Sequence, residues 1–523
     1  MKIKQFLLYC CLFAFLFCSC DLQIEFGVGG SGGSGNGGGG SGDVSNPTNV
    51  LLRKFWAQNL LTESFYQIDA DLLAESENCR VWAEKGAGIS TATANSMAKA
   101  YEEGIRPKML DTFAYKGPIG YNGTELGPID NIKNGIVVAN NTLELAGWMT
   151  DDDEKKLTIL LLDIKDGYKP SDTIGGYVAG YFWMGNMIEN TPSHPYLKYS
   201  NECSMIYVDI YPGVPGSEDS NTTVAHELQH LMSYVNAYVS NKKSTLDTWV
   251  DEGLSSAAEW LYLGKQVESK VDWYNKDPSG LIKTGNNFFI WDNPEYSKNQ
   301  NAILDEYATV YLFFQWLRLQ SGSTNIYKEI TLSDEYNYLA VTNAADRAMS
   351  GKGYDDWGTL LKTWLAANYI NAPGGPYGYR NDDVLKNVKA KTAPNGVTNI
   401  SLSPGEGVYS ITNNYDLPGN KQSVRYAGLD KSGNALSDTE TFTGGALLTY
   451  NANTNIEGKA ESGKTTGVAA SYTEADAPGR SVAGVGFSRP FAISAGDMLR
   501  RNGFERTPSF ELTRPMKGIT VLE

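Results

Sequence analysis

The chain has 523 residues, 41% apolar and 20% charged, which is enough apolar matter for two or three packed domains and excludes a disordered chain. A formal charge of −16 argues against a basic footprint for nucleic acid or for an anionic lipid surface. The acidic balance says nothing about substrate.

The N-terminus begins Met1-Lys2-Ile3-Lys4, runs uncharged from Phe6 to Phe17 and reaches Phe17-Cys18-Ser19-Cys20. A charged start followed by a short apolar run is a secretory signal pattern, and the run is too short to span a bilayer. Cys20 follows a small residue, where a bacterial lipoprotein signal carries its acylated cysteine, although Phe17 and Cys18 depart from the usual residues there. The alternative is a plain secretory signal cut near Ser19. Residues 1–20 are read as a lipoprotein signal peptide, which implies a lipid-anchored protein of the bacterial cell envelope, at the outer membrane or cell surface, or otherwise a secreted one. Loss of Lys2 and Lys4 takes the charge from −16 to −18. Residues 21–46, almost wholly Gly and Ser between Gly27 and Gly42, form a flexible tether of about 25–30 Å root-mean-square reach. Of the six cysteines, those at 10, 11, 18 and 20 belong to the signal. Cys79 and Cys203 remain; they could pair in an oxidising compartment, and neither spacing suits zinc.

Residues 50 to 125 predict mixed α/β structure. A strand is expected at Cys79 to Ala83, then a helix after Ser90 through Ala94, Met97, Ala98 and Tyr101, stopped by Gly104. Three strands follow, at Leu157 to Ile164, Tyr177 to Trp183 and Met205 to Tyr211. The glycines of Gly175 to Trp183 permit close backbone approach, though an ordinary buried strand would read the same way. Asp151 to Glu154 lacks the alternating ligands and central glycine of a calcium loop and reads as a solvated turn. His194, between Pro192 and Pro195, reads as a loop histidine and not a ligand.

The next stretch runs Thr223-Val-Ala-His226-Glu227-Leu-Gln-His230-Leu-Met-Ser-Tyr234. Val224, Leu228, Leu231, Met232 and Val235 give a helix with an apolar seam, N-capped by Asn221 or Thr222, and the histidines lie off that seam. His226 and His230 stand at i and i+4, on one helix face, where two imidazoles can share a Zn²⁺ with Glu227 beside it as general base. Catalytic zinc takes three protein ligands and an open position. The metzincin pattern would supply a third histidine, but the residues after His230, Leu-Met-Ser-Tyr-Val-Asn, contain neither its glycine nor its histidine. The next acidic residues are Asp247, Asp251, Glu252 and Glu259, the last two in a helical run ending near Gly264.

His-Glu-x-x-His followed by Trp249-Val-Asp-Glu252-Gly-Leu-Ser resembles the gluzincin metallopeptidases. Together with Glu306-Tyr-Ala-Thr-Val-Tyr-Leu-Phe-Phe-Gln-Trp-Leu317, the pattern is most similar to the hyicolysin family of bacterial secreted peptidases, over about Val50 to Tyr369. The resemblance implies an α+β chain with a zincin-like, thermolysin-type catalytic domain. It implies His226, His230 and Glu252 as zinc ligands, Glu227 as base and Glu259 as the carboxylate that braces a zinc histidine. Glu252 and Glu259 lie two helical turns, about 10 Å, apart, so one does not simply replace the other at the metal. The resemblance also implies a substrate-binding edge strand upstream of the histidine helix, for which Gly175 to Trp183 is the candidate. Tyr307 occupies the place of an oxyanion-stabilising tyrosine, although the Lys-Gly that follows such a tyrosine at two residues' distance is here Thr309-Val310. The implied activity is zinc-dependent hydrolysis of peptide bonds in extracellular proteins or peptides. Lack of a Gly-x-Met-Glu-Asn segment favours an endopeptidase over an aminopeptidase of the same clan. The alternative of another class is a surface-anchored binding or adhesion lipoprotein with a structural or vestigial zinc site, which would not need the complete ligand-and-base set.

Near Ala372-Pro-Gly-Gly-Pro376 the composition shifts. Residues 47–391 are read as the peptidase-like domain and 392–523 as a C-terminal β-domain, a small sandwich with runs at Val408 to Ile411, Ala446 to Tyr450 and Val482 to Phe487. Acylation of Cys20 predicts that Cys20→Ala moves the protein from the membrane to the soluble fraction. An unmodified mature N-terminus elsewhere, found by mass spectrometry, would contradict it.

Overall fold

The computed structural model describes residues 52–113, 132–133, 136–137, 156–168, 177–187, 192, 195–239, 245–285, 288–291, 303–393, 399–416, 423–430, 436–437, 441–455 and 461–464. The signal peptide with Cys20, the tether, Asp151 to Glu154 and His194 lie outside them.

β1 (Leu52–Asn59) and β2 (Ser64–Glu75) pair antiparallel from Leu52↔Asp71 to Asn59↔Ser64, burying Phe55, Ala57, Ile68 and Ala70. β3 (Cys79–Glu84) pairs antiparallel with β2, past a register shift between Leu72 and Ala74. α1 (Thr91–Ala100) starts where expected, with the Ser90 side chain accepting from Thr93 N. The expected stop at Gly104 is not there: the chain passes through a π-turn, Tyr101–Ile105, into α2 (Arg106–Phe113). A Cβ at Gly104 would lie 3.3 Å from Tyr262 Cε2, so this glycine serves a close packing approach and not a left-handed cap.

β4 (Ile132–Lys133) and β5 (Ile136–Val137) form a short ribbon. β6 (Leu157–Leu162) is buried at every position, as a nearly continuous apolar run between two parallel neighbours should be, with Thr158 its one polar residue. It lies between β3 and β8 (Met205–Asp209), parallel to both, while β7 (Gly180–Tyr181) runs antiparallel to β8. The sheet order is β1-β2-β3-β6-β8-β7, which leaves β7 at an edge. The strand expected over Tyr177 to Trp183 contracts to two paired residues, because a 3-10 turn begins at Met184 and the Asp166 carboxylate takes the Val178 N–H. Cys79 and Cys203 are both buried free thiols and do not pair.

α3 (Glu218–Val239) begins one turn before the expected cap. Ser217, whose Oγ accepts from Ser220 N, takes the capping role assigned to Asn221 or Thr222, and both of these lie inside the helix. Glu218 and Asp219 in the first turn suit the helix dipole and favour this start. α4 (Thr248–Leu263) ends as expected at Gly264, left-handed with φ 68°, which donates its N–H to Trp260 O. Next come α5 (Glu268–Lys276), α6 (Ile303–Ser321), α7 (Asn325–Thr331), α8 (Tyr338–Ala348) and α9 (Trp357–Ile370).

α4 is buried from Thr248 through Glu259 and α6 from Leu304 through Leu317, the mark of helices packed on all sides. α4 packs on α3 and on α6. Trp249 anchors α4 among Phe288, Phe289 and Trp357, with ring centroids 5.5, 5.1 and 5.5 Å away. Gly253 faces the Phe314 ring of α6 so closely that any Cβ would overlap it.

β9 (Asn399–Leu402), β10 (Gly407–Asp416), β11 (Val424–Leu429), β12 (Leu436–Ser437), β13 (Thr441–Asn451) and β14 (Glu461–Lys464) give a four-stranded sheet, β10-β13-β11-β12, and a β14-β9 ribbon. The sheet packs on α9, where the Tyr409 hydroxyl donates to Leu365 O at 2.8 Å. The runs expected at Val408 to Ile411 and Ala446 to Tyr450 are strands, while Val482 to Phe487 lies outside the described residues. The chain is of mixed α+β class. No helix among the described residues is long and apolar enough to cross a membrane.

The α4–α6 approach predicts that Gly253→Ala destabilises the fold by about 1–3 kcal/mol, the usual cost of overpacking a core. Urea unfolding followed by tryptophan fluorescence measures it.

Candidate metal centre

One helical turn on α3 separates His226 from His230, and both imidazoles face α4. Their Nε2 atoms lie 3.4 and 3.6 Å from one atom, Glu252 Oε2. The ligand atoms of the three residues all fall within 4.8 Å of one another, and all three residues are buried. Behind them, His226 Nδ1 stands 2.7 Å from Glu259 Oε1, and His230 Nδ1 stands 2.9 Å from Asp251 Oδ2. An Nδ1–H donated to each carboxylate leaves the Nε2 lone pair directed at the common centre. On its other side Glu259 Oε2 meets the ammonium of Lys270 at 2.9 Å. Ser255 Oγ donates to Glu252 O at 3.0 Å.

His230 Nε2 and Glu252 Oε1 are buried without a hydrogen-bond partner. Unsatisfied buried groups of this kind cost about 1–3 kcal/mol each, more when charged, and a cation held between His226, His230 and Glu252 supplies what they lack. Two imidazole nitrogens and a carboxylate are a donor set of catalytic zinc. The residues fit a divalent metal such as zinc.

Glu227 lines a cleft of ≈ 500 Å³ together with Tyr177, Val208, Thr223, His226 and Tyr307. The Phe182 backbone N–H bonds to the Glu227 carboxylate, and Glu227 Oε1 has no hydrogen-bond partner. Burial pushes this carboxyl above the usual range, with Glu252 adding to the effect and the two imidazoles opposing it. β7 passes close by: a Cβ on Gly180 would lie 2.6 Å from Thr223 Cγ2, 2.7 Å from Tyr207 O and 3.4 Å from Glu227 Cγ. The close approach expected of a glycine in this strand is therefore made against α3 and β8. Tyr307 is buried, its ring 6.4 Å from that of His226 and edge-on to Trp291 at 5.0 Å.

His226, Glu227, His230, Glu252, Glu259 and Tyr307 are thus brought together from three helices, while Cys20 lies outside the described residues. Two residues of the cluster had no role in the sequence reading. Asp251 was only one of several acidic residues after the histidines, and the detectable signal was its place beside Glu252 with a second imidazole left to orient. Lys270 carries no local signal, since it reaches Glu259 only through the turn between α4 and α5.

Fold and centre define an α+β chain with a two-helix His-His-Glu metal site of the kind metallohydrolases use. The chain is similar to the neutral metalloprotease ShpI of Staphylococcus hyicus, with 24% identity over 386 residues that cover 72% of this chain and 75% of that protein. No family model matches.

Burial disfavours charging of both imidazoles, but the carboxylates outweigh it: Glu252 and Glu259 raise His226, and Asp251 with Glu252 pushes His230 up to about 10. A raised imidazole stabilises the metal-free fold fully below its unfolded value of about 6.5 and ceases to do so as pH passes its folded value. Thermal melting of the chelator-treated protein is expected to show stability falling between about pH 6.5 and 10. Zinc must displace those protons, so calorimetry in buffers of different ionisation enthalpy is expected to show proton release on binding.

Proposed function

We propose that the chain is a zinc metallopeptidase of the gluzincin type, related to the hyicolysin family, that hydrolyses peptide bonds of extracellular proteins or peptides. The observation that carries this reading is the convergence of both Nε2 atoms on Glu252 Oε2, with Glu227 next to them on an open cleft. The similarity to a neutral metalloprotease supports it. In this reading His226, His230 and Glu252 hold the metal. When bound, zinc supplies Lewis acidity to the scissile carbonyl and acidity to a water.

Glu227 Oε1 takes a proton from the attacking water and passes it to the leaving amine. Its raised proton affinity suits a base that must also act as an acid near neutral pH. The Phe182 N–H holds the other side of that carboxylate, so the base works from a fixed position. The Tyr307 hydroxyl donates to the carbonyl oxygen as negative charge grows on it. β7, at the sheet edge beside Glu227, takes an extended substrate by strand addition, which favours cleavage within a chain. Residues 47–391 form the catalytic domain and 392–523 a β-sandwich, and the mature protein is lipid-anchored through Cys20.

Zinc analysis together with cleavage of a quenched-fluorescent peptide library tests the whole reading. A metal-free or inert purified protein would favour the binding-module alternative. Glu227→Gln is expected to keep zinc and lose about 10²- to 10⁴-fold in turnover, the usual weight of a general base. Glu252→Ala is expected to lose the metal outright, whereas Glu259→Ala retains a site weakened by about 10- to 100-fold. The reverse order in zinc titrations would assign the third ligand to Glu259.

A further inference from the structure

Lys270, on α5, is an enclosed ammonium, 2% exposed, that pairs with Glu259. Its Nζ lies 2.9 Å from Glu259 Oε2 and donates to Ser256 Oγ at 2.9 Å, so it grips two positions one turn apart on α4. The Tyr311 ring stands 5.1 Å from the same nitrogen. The Tyr311 hydroxyl donates to Gln266 Oε1 and accepts from Val267 N at 2.9 Å, which pins the turn that brings Lys270 inward. The two oxygens of Glu259 are thereby divided, Oε1 to His226 Nδ1 and Oε2 to Lys270. His230 is held differently: its carboxylate, Asp251, meets the imidazole through Oδ2, and among the described residues no ammonium or guanidinium pairs with it as Lys270 pairs with Glu259. One imidazole is braced by a chain of alternating charge, the other by a single carboxylate.

We propose that Lys270 is a positioning residue for metal binding, which locks the Glu259 carboxylate so that His226 keeps its Nδ1–H toward Glu259 and its Nε2 toward the metal. The proposal rests on the metal-site reading above. A carboxylate in a closed, low-dielectric pocket with no cation to fix it turns toward whatever donor is near, and the imidazole it orients turns with it. The rival role for Lys270 is a purely mechanical tie between α4 and α5, which would alter stability and leave the metal's surroundings unchanged.

The test uses the full chain and a double-mutant cycle of Lys270→Met and Glu259→Gln. Zinc affinity is read by chelator competition, the visible d–d spectrum from the cobalt(II)-loaded protein, and stability from melting of the metal-free protein. Lys270→Met is expected to weaken zinc about tenfold, the lower end of what outer partners of zinc ligands contribute, and to shift the cobalt spectrum. In the Glu259→Gln background the same change is expected to alter affinity by no more than about twofold, within the additivity error of such cycles. Wild-type affinity and an unshifted spectrum in Lys270→Met overturn the proposal, and so does a full tenfold effect in the Glu259→Gln background. Should Lys270→Met not fold, Lys270→Gln, which keeps a donor without the charge, takes its place in the cycle with the same outcomes. A wild-type chain that binds neither zinc nor cobalt refutes the metal-site reading itself, whereas one that binds both with a flat Lys270 cycle refutes only this proposal.

Discussion

α4 buries three carboxylates, Asp251, Glu252 and Glu259, against two imidazoles of α3, and the rest of the structure depends on how that charge is met. An isolated buried carboxylate costs several kcal/mol or changes its protonation state. Here Asp251 finds His230 Nδ1, Glu259 finds His226 Nδ1 and Lys270, and Glu252 turns Oε2 toward both remaining ring nitrogens. Glu227 and Glu306 are buried close by, and burial drives both carboxyls above their ordinary range, Glu306 well above it, which favours their uncharged forms. The ring nitrogens and Glu252 fit a divalent cation, which would offset the carboxylates of this interior.

The helices must hold these groups at fixed spacing, and the apolar residues of the same motif do that. In Trp249-Val-Asp-Glu-Gly253 the tryptophan is clamped among Phe288, Phe289 and Trp357. The glycine lets Phe314 of α6 come against the α4 backbone. Glu252, between them, has little freedom. α6, pressed against α4 at Gly253, also carries Tyr307 to the cleft, so one packing contact sets both the proposed third ligand and the proposed oxyanion donor.

The sheet sets the other wall. Asp209, at the end of β8, accepts from Ile164 N at 3.0 Å, Tyr211 N at 2.9 Å and Gly213 N at 3.0 Å, which fixes the loop entering α3. Burial pushes its carboxyl up to about 7. That loop and the residues leading into β7, Tyr177 and Ala179, border the cleft together with Glu227.

What could be read from the sequence was local. The i, i+4 spacing of His226 and His230 puts them on one face wherever a helix forms, and Ser90 and Gly264 cap helices for reasons within one turn of chain. β6 was legible because a strand buried on both faces reads as a nearly continuous apolar run, here with Thr158 as its one polar residue. Gly104 was misread because glycine serves equally as a left-handed cap and as a close-packing surface, and Tyr262, which decides between them, is remote in sequence. The start of α3 was placed a turn late because Ser217 competes with Asn221 and Thr222 on equal chemical terms. The helical run ending near Gly264 placed Glu252 and Glu259 on one helix, as α4 has them, but spacing alone does not say which carboxylate oxygen meets which ring nitrogen. That choice, with the roles of Asp251 and Lys270, belongs to the tertiary structure, because a buried charge takes its partner from whatever packing brings within about 3 Å.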